Sequence, residues 1–343
     1  MTRALVPRLR GAAFAVLAIL SLSQAAAAQE INLYTTREPG LMKPLMDSFT
    51  KSTGISVNSI FIKDGLAERV AAEGSRSPAD VLMTVDIGAL FDLVEKGLTQ
   101  PVRSAVLERA VPANLRGKEG EWFALSLRAR VLYVRKDLNL SAFTYEQLAD
   151  PAWQGKICTR AGQHPYNTAL IAAYNAHHGE ARAETWLNGF KSGLARTATG
   201  GDRDGARDIM GGICDIAVAN SYYVGLMRSG AGGPEQQKWA AAIKVLLPTF
   251  AGGGTHVNVS GASIAKSSPN RAAAVRFLEY LVSDEAQKIY AEANYEYPVT
   301  SGAAVHPIIA ELGPLKVDPM SLADVARHRT TASRLVDKVG FDR

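Results

Sequence analysis

The chain has 343 residues, of which 47% are hydrophobic and 21% charged, a composition typical of a globular protein rather than a disordered one. Its 38 basic and 33 acidic side chains give a net charge of +5, and no basic block of the kind that binds nucleic acid is present. The length exceeds that of one ordinary hydrophobic core, which predicts two lobes.

Residues 1–28 have the composition of a cleavable export signal. A basic segment with three arginines precedes an apolar stretch over 11–22, and small residues at 26–28 provide a cleavage site. The apolar stretch is too short for a retained anchor, because about 20 apolar residues are needed to span a bilayer. Without the three arginines the chain carries 35 basic and 33 acidic side chains, a net of +2. We therefore expect an exported protein of the periplasm.

Strands and helices alternate over the next part of the chain. The apolar pattern predicts strands over 31–34, 55–61 and 80–85. It predicts helices over 41–49, from a cap at Asp64 to about 71, and over 87–96. This alternation indicates a parallel sheet with helices on both faces.

A long extended segment at 121–137, interrupted by arginines, precedes a second α/β block. In that block the pattern predicts strands over 156–160 and 213–220, and helices over 166–177, 180–191 and 203–210. A second extended stretch over 242–265, with an AGGG insert, follows, and a helix over 270–293 comes after it. Two extended segments that flank a self-contained block indicate one lobe inserted into another, with the segments as the hinge.

The chain has two cysteines, and both lie in predicted strands of the second block. In an oxidising compartment two thiols pair more readily than they stay free. We therefore expect a structural disulfide between Cys158 and Cys214, with no redox role because no C-x-x-C motif is present.

Three tyrosines follow these same strands. Tyr166 opens the helix after the first of them, and Tyr222 and Tyr223 follow the second. Ligands in open α/β sheets lie beyond the carboxyl ends of the strands, and three phenol oxygens there would form a hard, trianionic cage that suits ferric iron. Adjacent residues of a regular strand point to opposite faces, so the pair reaches one ion only if the strand turns into a helix at Asn220–Ser221. Taken alone, the same tyrosines also fit a packing role with hydrogen-bonded hydroxyls.

The chain resembles the periplasmic ferric-iron-binding proteins of ABC importers, in the type II periplasmic-binding-protein superfamily. The resemblance lies in LYTTREP at 33–39, SPADVLMTVD at 77–86, WFALSLRARVLY at 122–133, CTRAGQHPYN at 158–167, CDIAVANSYYVG at 214–225 and NYEYPV at 294–299. It implies an α/β fold of the bilobal Venus-flytrap type, with two lobes joined by crossover hinge strands. The expected division places 29–125 and 252–298 in the first lobe, and 126–251 and 299–343 in the second.

The resemblance also implies a metal site. In the family the tyrosines of the PYN and SYY segments bind iron, and they match Tyr166, Tyr222 and Tyr223. Some members add a His-Tyr pair after the arginine of the first motif; others have Gln-Pro and complete the coordination with a carbonate near that arginine. Arg37 matches the arginine, whereas Glu38 stands where the amide is. Glu38 would either repel the anion or reach the metal itself, and both alternatives stay open.

Arginines near the site would stabilise the phenolate form and so lower the pKa of the tyrosines. The candidates are Arg37, Arg128 and Arg130. The last two also fit the role of ordinary arginines on a strand surface.

We expect a monomeric binding protein whose ligand is Fe(III), free or chelated, with a carbonate or other synergistic anion, and whose partner is the permease of an ABC importer. One alternative is an oxyanion carrier of the same fold, in which Arg37 holds the ligand. The other is a secreted enzyme, but the sequence has no G-x-S-x-G, H-E-x-x-H or zinc-type Cys/His motif.

Overall fold

A computed structural model describes residues 29–343, so the predicted export signal lies outside the described residues. The strands are β1 Glu30–Thr35, β2 Ser56–Phe61, β3 Val81–Thr84, β4 Thr99–Gln100, β5 Phe123–Arg135, β6 Ile157–Cys158, β7 Ile216–Asn220, β8 Ile243–Leu246, β9 Val257–Ala265 and β10 Tyr297–Pro298. The α-helices are α1 Pro39–Thr53, α2 Leu66–Glu73, α3 Ile87–Glu95, α4 Ala105–Ala110, α5 Pro165–His178, α6 Glu180–Ser192, α7 Asp202–Met210, α8 Tyr222–Ser229, α9 Pro234–Ala241, α10 Arg271–Leu281, α11 Asp284–Asn294, α12 Pro307–Ala310, α13 Leu322–Arg327 and α14 Arg329–Val339.

The strands form one curled sheet in the order β2-β1-β3-β9-β5-β7-β6. Strand β1 is parallel to both β2 and β3, as the alternating pattern of the first region predicts. Strand β9 is antiparallel to β3 and to β5. On the other side of β5, β6 and β7 are parallel to each other, and each is followed by a turn that leads into a helix.

Strand β5 joins the two halves of the molecule. Its residues 123–129 pair with β9, whereas residues 130–135 pair with β7 or β8. One continuous strand of 13 residues therefore contributes to both lobes. This matches the prediction of a long extended segment that connects two lobes, and the structure is the bilobal α/β fold that the sequence indicates.

The local sequence explains where helix α1, which follows Arg37 and Glu38, begins and ends. Helix α1 begins at Pro39, whose fixed backbone angle suits a first turn, and it ends before Gly54, which caps it with a φ of 72°. Its buried side chains Met42, Leu45 and Phe49 recur at helical spacing on one face. The segment at 35–38 is thereby held between a central strand and a packed helix.

The second predicted extended stretch, 242–265, is interrupted in the structure. Strand β8 ends at Leu246 and β9 begins at Val257, with a turn at 251–253 between them. Gly252 in this turn has a φ of 75°. A Cβ on Gly254 would lie 2.5 Å from the carbonyl oxygen of Lys316, so only glycine permits this close approach of two backbones.

Three other predicted elements have different bounds. The helix over 270–293 divides into α10 and α11, because Ser283 caps α11 by accepting a hydrogen bond from the Ala286 N–H. The predicted strand over 156–160 has only two residues, and that over 213–220 begins at Ile216. The predicted cap at Asp64 is wrong, because Gly65 occupies the capping position of α2 with a φ of 77°.

The helices after residue 299 pack mainly on the second α/β block. Helix α14 packs on α5 and α6, α12 packs on α8, and α13 contacts both α5 and α3 of the first lobe. The sequence pattern did not predict where residues 299–343 pack, because the helices that they contact are far away in sequence. None of the helices within residues 29–343 combines the length and the apolar character that crossing a membrane requires.

Candidate metal site

Tyr166 lies in the first turn of α5. The helix begins at Pro165, and His164 caps it, with Nδ1 accepting a hydrogen bond of 3.2 Å from the Tyr166 N–H. The imidazole ring also packs edge-on against the Tyr166 ring, with 4.6 Å between the ring centroids. The local sequence therefore fixes the position of Tyr166 at the carboxyl end of β6.

Tyr222 and Tyr223 lie at the point where β7 ends and α8 begins. Strand β7 ends at Asn220, and Tyr222 is the first helical residue. In a helix consecutive residues are about 100° apart rather than on opposite faces, so both side chains project to one side. Their ring centroids are 4.0 Å apart. The chain thus changes from strand to helix between Asn220 and Tyr222, as it must if Tyr222 and Tyr223 are to bind one ion.

The two tyrosine-bearing turns meet. The hydroxyl oxygens of Tyr166 and Tyr222 are 3.5 Å apart, although the residues are 56 positions apart in sequence. Each of the three side chains is partly accessible to solvent. The structure therefore brings Tyr166, Tyr222 and Tyr223 to a common place with access from outside.

Burial sets the protonation of two of these phenols. Burial raises the pKa of the Tyr222 hydroxyl well above its usual value near 10, the phenols of Tyr166 and Tyr223 raise it further, and Arg128 lowers it in part. Burial, followed by Tyr166, also raises the pKa of Tyr223. Arg128 lowers the pKa of Tyr222 and Arg160 lowers that of Tyr223, as expected of nearby arginines, but the loss of water around each phenol outweighs this effect and the pKa of each is raised.

Arg128 lies where β5 passes from one lobe to the other. Its side chain is buried, and Nη2 donates hydrogen bonds to the carbonyl oxygens of Val85 and, at 2.9 Å, Val259. Its guanidinium carbon is 5.5 Å from the centroid of the Tyr166 ring, within range of a cation–π contact. A strand-surface role for Arg128 is therefore wrong, and it contacts the predicted site directly.

Arg130 is likewise buried but does not contact the tyrosine rings. Its Nη1 donates to Asp202 at 2.7 Å and to Asn220 at 3.0 Å, and its Nη2 donates to Asn167 at 2.5 Å. Asn167 follows Tyr166, and Asn220 precedes the tyrosine pair. Arg130 thus contacts the side-chain oxygens of residues close to the tyrosines in sequence, rather than lying on an exposed strand surface.

Arg37 is already paired within the first lobe. It is 4% exposed and forms an ion pair of 2.7 Å with Glu296, together with hydrogen bonds to Asn294 and Ser260. Burial opposes ionisation of Glu296, but Arg37 and Arg128 hold the pKa of its carboxyl below the usual range. Arg37 therefore carries no unbalanced charge for a predicted anion, although its Nε has no hydrogen-bond partner among the described residues.

Glu38 lies at the start of α1, with its side chain exposed. It makes no side-chain capping hydrogen bond to the helix. The structure therefore places Glu38 beside the buried arginine in sequence but leaves its carboxylate in solvent.

The predicted disulfide joins Cys158 of β6 to Cys214, which lies just before β7. Both residues are nearly fully buried, at 0% and 3% exposure. The bond ties together the bases of the two segments that end in the tyrosines.

Sequence reasoning missed three charged residues of this region: Arg160, Asp202 and Glu296. The Arg160 guanidinium lies over the Tyr166 ring at 5.0 Å and forms an ion pair with Asp202. All three lie in or beside segments that the sequence analysis considered: Arg160 in CTRAGQHPYN, Asp202 after the GG turn at 200–201, and Glu296 in NYEYPV. Their roles could not be predicted, because each carboxylate pairs with an arginine far away in sequence.

The arrangement offers hard oxygen donors. Within residues 29–343 no group of three or more His, Cys, Asp or Glu side chains is placed to hold a metal ion. The clustered phenols are a different donor set, and oxygen anions of this kind match a small, highly charged cation. A cavity of about 1060 Å³ lies elsewhere, between segments near 108–115 and 297–319, and Tyr166, Tyr222 and Tyr223 do not line it.

Comparisons with known proteins identify the family of the chain and its relatives. The family model of the bacterial extracellular solute-binding proteins matches residues 34–288. Iron uptake protein A2 of Synechocystis sp. is 41% identical over 339 residues, which cover 96% of each chain. The Bordetella ferric binding protein is 61% identical and superposes with a TM-score of 0.89, covering 92% of this chain and 100% of its own. A Trichodesmium protein solved with iron and citrate ligands is 42% identical, with a TM-score of 0.87 and coverage of 91% and 99%.

Proposed function

Because the chain belongs to the bacterial extracellular solute-binding protein family, we propose that it captures Fe(III) in the periplasm and delivers it to the permease of an ABC importer. The phenolates of Tyr166, Tyr222 and Tyr223 are the protein ligands. The similar proteins support iron as the ligand, since one is named for iron uptake and another for ferric binding. Free iron and an iron chelate are both possible forms of the cargo.

The observation that carries this proposal is the meeting of three phenols from two separate turns. The Tyr166 and Tyr222 oxygens lie 3.5 Å apart, and the Tyr222 and Tyr223 rings are in contact. Phenols with raised pKa values are protonated at neutral pH, so Fe(III) must displace their protons to bind. Three phenolates then neutralise the three charges of the metal, and binding weakens in acid.

The two lobes take different parts in this process. We propose that residues 126–251 and 299–343 form the lobe that carries the tyrosines, and that residues 29–125 and 252–298 close over them. The hinge lies in β5 and in the segment that connects β8 to β9, since both pass between the lobes. The closed monomer is the form that docks on the permease.

An anion, such as carbonate or a carboxylate of an iron chelate, fills the remaining coordination positions in this proposal. Glu38 is exposed, and Arg37 is paired with Glu296, so neither residue is arranged as a ligand or as a dedicated anion holder. Arg128 lies against the Tyr166 ring, and its hydrogen bonds go to neutral carbonyl oxygens, so it supplies the positive charge that favours an anion there.

Titration with ferric citrate tests the proposal. The protein should turn red-orange, because phenolate ligands give a charge-transfer band with Fe(III). Tyr222→Phe should abolish or strongly shift this band, since it removes one oxygen and leaves the ring. Tyr174→Phe is the matched control, because Tyr174 lies on the same helix as Tyr166 but stacks on Trp186, and it should keep the band of the unmodified protein.

Two results would contradict the proposal. One is a colourless protein that gains thermal stability with an oxyanion, which would indicate the oxyanion carrier instead. The other is a band that survives unchanged in Tyr222→Phe, which would mean that iron binds elsewhere.

A further inference from the structure

One fully buried carboxylate connects the two turns that carry the tyrosines. The Asp202 side chain, at the start of α7, is 0% exposed. Its Oδ2 accepts hydrogen bonds of 2.7 Å from Arg130 Nη1 and of 2.7 Å from the Asn220 backbone N–H. Its Oδ1 is 3.0 Å from Arg160 Nε.

The partners of Asp202 lead to both sides of the site. Asn220 is two positions before Tyr222, so the bond to its backbone fixes the end of β7. Arg160 lies over the Tyr166 ring and contacts the imidazole of His164 that caps α5. The connection to Asn167, the residue after Tyr166, passes through Arg130, whose Nη2 donates to Asn167.

We infer that Asp202 is a positioning residue, which holds the Tyr166 turn and the Tyr222–Tyr223 turn in the spacing that a shared metal requires. This inference rests on the proposed function. Asp202 does not touch the phenol oxygens in this account; it acts through Arg160 and Arg130 on one side and through the Asn220 backbone on the other.

Charge explains why a carboxylate is needed at this position. Arg130 and Arg160 are 2% and 8% exposed, and two guanidinium groups that close together repel each other unless an anion lies between them. A neutral amide of the same shape keeps the volume but loses the charge and one acceptor oxygen. Arg130 and Arg160 then move apart, and the Tyr166 turn and the Tyr222–Tyr223 turn are no longer held at a fixed distance from each other.

The chain supplies a matched control on the same helix. Asp208 is also buried and also pairs with two arginines, Arg196 at 2.6 Å and Arg207 at 3.1 Å. Its partners do not contact the tyrosines. Asp202→Asn and Asp208→Asn therefore remove equivalent buried charges, one beside the site and one away from it.

The experiment compares the two variants in the full-length exported protein, with ferric citrate as the iron source. Iron affinity is measured by competition with increasing citrate, and the position of the charge-transfer band is recorded. For Asp202→Asn we expect a band at a different wavelength and an affinity lower by about 10- to 100-fold, the range typical of groups that orient metal ligands. For Asp208→Asn we expect the band and affinity of the unmodified protein, whatever stability it loses.

The inference is overturned if Asp202→Asn retains both the band and the affinity, or if Asp208→Asn loses affinity equally. If Asp202→Asn does not fold, Arg130→Lys decides, because Arg130 links Asp202 to Asn167 and does not contact the Tyr166 ring. A shifted band in Arg130→Lys supports the inference, and an unchanged band overturns it. Failure of the proposed function is distinct, because the unmodified protein would then show no band at all.

Discussion

Burial decides the protonation of individual residues in this protein. It raises the pKa of Tyr222, and it lowers the pKa of His256 from 6.5 to about 3. His256 is 3% exposed, and its Nε2 has no hydrogen-bond partner among the described residues. Asp318 favours its protonated form, but burial together with Arg130 and His177 outweighs that effect. Both side chains are therefore held in their neutral forms.

His256 should make the iron-free protein sensitive to mild acid. In the unfolded chain His256 binds a proton near pH 6.5, whereas in the folded protein it stays neutral down to about pH 3. The free energy of unfolding therefore falls as the pH drops from 6.5 to about 3. The full shift corresponds to about 5 kcal/mol, and each proton contributes a slope of about 1.4 kcal/mol per pH unit. Urea unfolding between pH 7 and pH 4 should show a shallower loss of stability in His256→Asn than in the unmodified protein.

Thr255→Val is the control for this measurement. Thr255 precedes His256, is 1% exposed, and has a hydroxyl without a hydrogen-bond partner among the described residues. Because it does not titrate, its replacement should leave the pH dependence unchanged. Equal slopes for His256→Asn and the unmodified protein would contradict the account.

At the level of elements, two strand-turn-helix units with a common base build the site. Cys158 and Cys214 each lie eight residues before a tyrosine, Tyr166 and Tyr222 respectively. The disulfide joins the two units at the sheet, and the network around Asp202 joins them again nearer the tyrosines. The helix starts then set the direction of the side chains.

Removal of the disulfide should cost stability without loss of the metal site. The bond closes a loop between residues 56 positions apart, and a bond of this kind contributes about 2–4 kcal/mol. Urea unfolding of Cys158→Ala/Cys214→Ala should show this loss, while the ferric charge-transfer band stays in place. A reductant should lower the unfolding midpoint of the unmodified protein but not that of the variant. An unmodified protein that keeps its midpoint after complete reduction would disprove a stabilising role.

At the level of the whole molecule, a strand and several helix contacts connect the two lobes. Strand β5 passes between them, and α13 contacts α3 on one side and α5 on the other. Arg329 at the start of α14 lies 3.5 Å from Asp92 of α3, and a Cβ on Gly88 would overlap its guanidinium. We propose that the lobes close by a rotation about β5, which passes between them.

Iron binding should therefore make the molecule more compact. A folded chain of this size has a radius of gyration of about 20 Å, and hinge closure reduces it by a few per cent. Small-angle X-ray scattering with and without ferric citrate measures this change. Tyr222→Phe should stay at the iron-free value under the same conditions. A radius that iron does not alter in the unmodified protein would contradict closure by the ligand.

Sequence pattern was informative wherever the signal is local. The alternation over 31–97 predicted β1 to α3 in order, because helix and strand periodicity is visible within a few residues. The sequence pattern did not predict that 242–265 divides into two strands, although the AGGG insert lies at the division, because the turn depends on its contact with the backbone near Lys316. The residues after 299 were not placed either, because their contacts are also with segments far away in sequence.

The sequence by itself determined the bilobal α/β fold, the cysteine pair and the three tyrosines, because residue type, periodicity and resemblance are properties of the chain read in order. Only the tertiary structure decided which charges surround the tyrosines. Arg130 and Asp202 are 72 positions apart and Arg37 and Glu296 are 259 apart, so nothing local marks them as pairs. Burial, which outweighs the lowering of the Tyr222 pKa by Arg128, is likewise a property of the folded molecule, since it depends on how many distant segments exclude water.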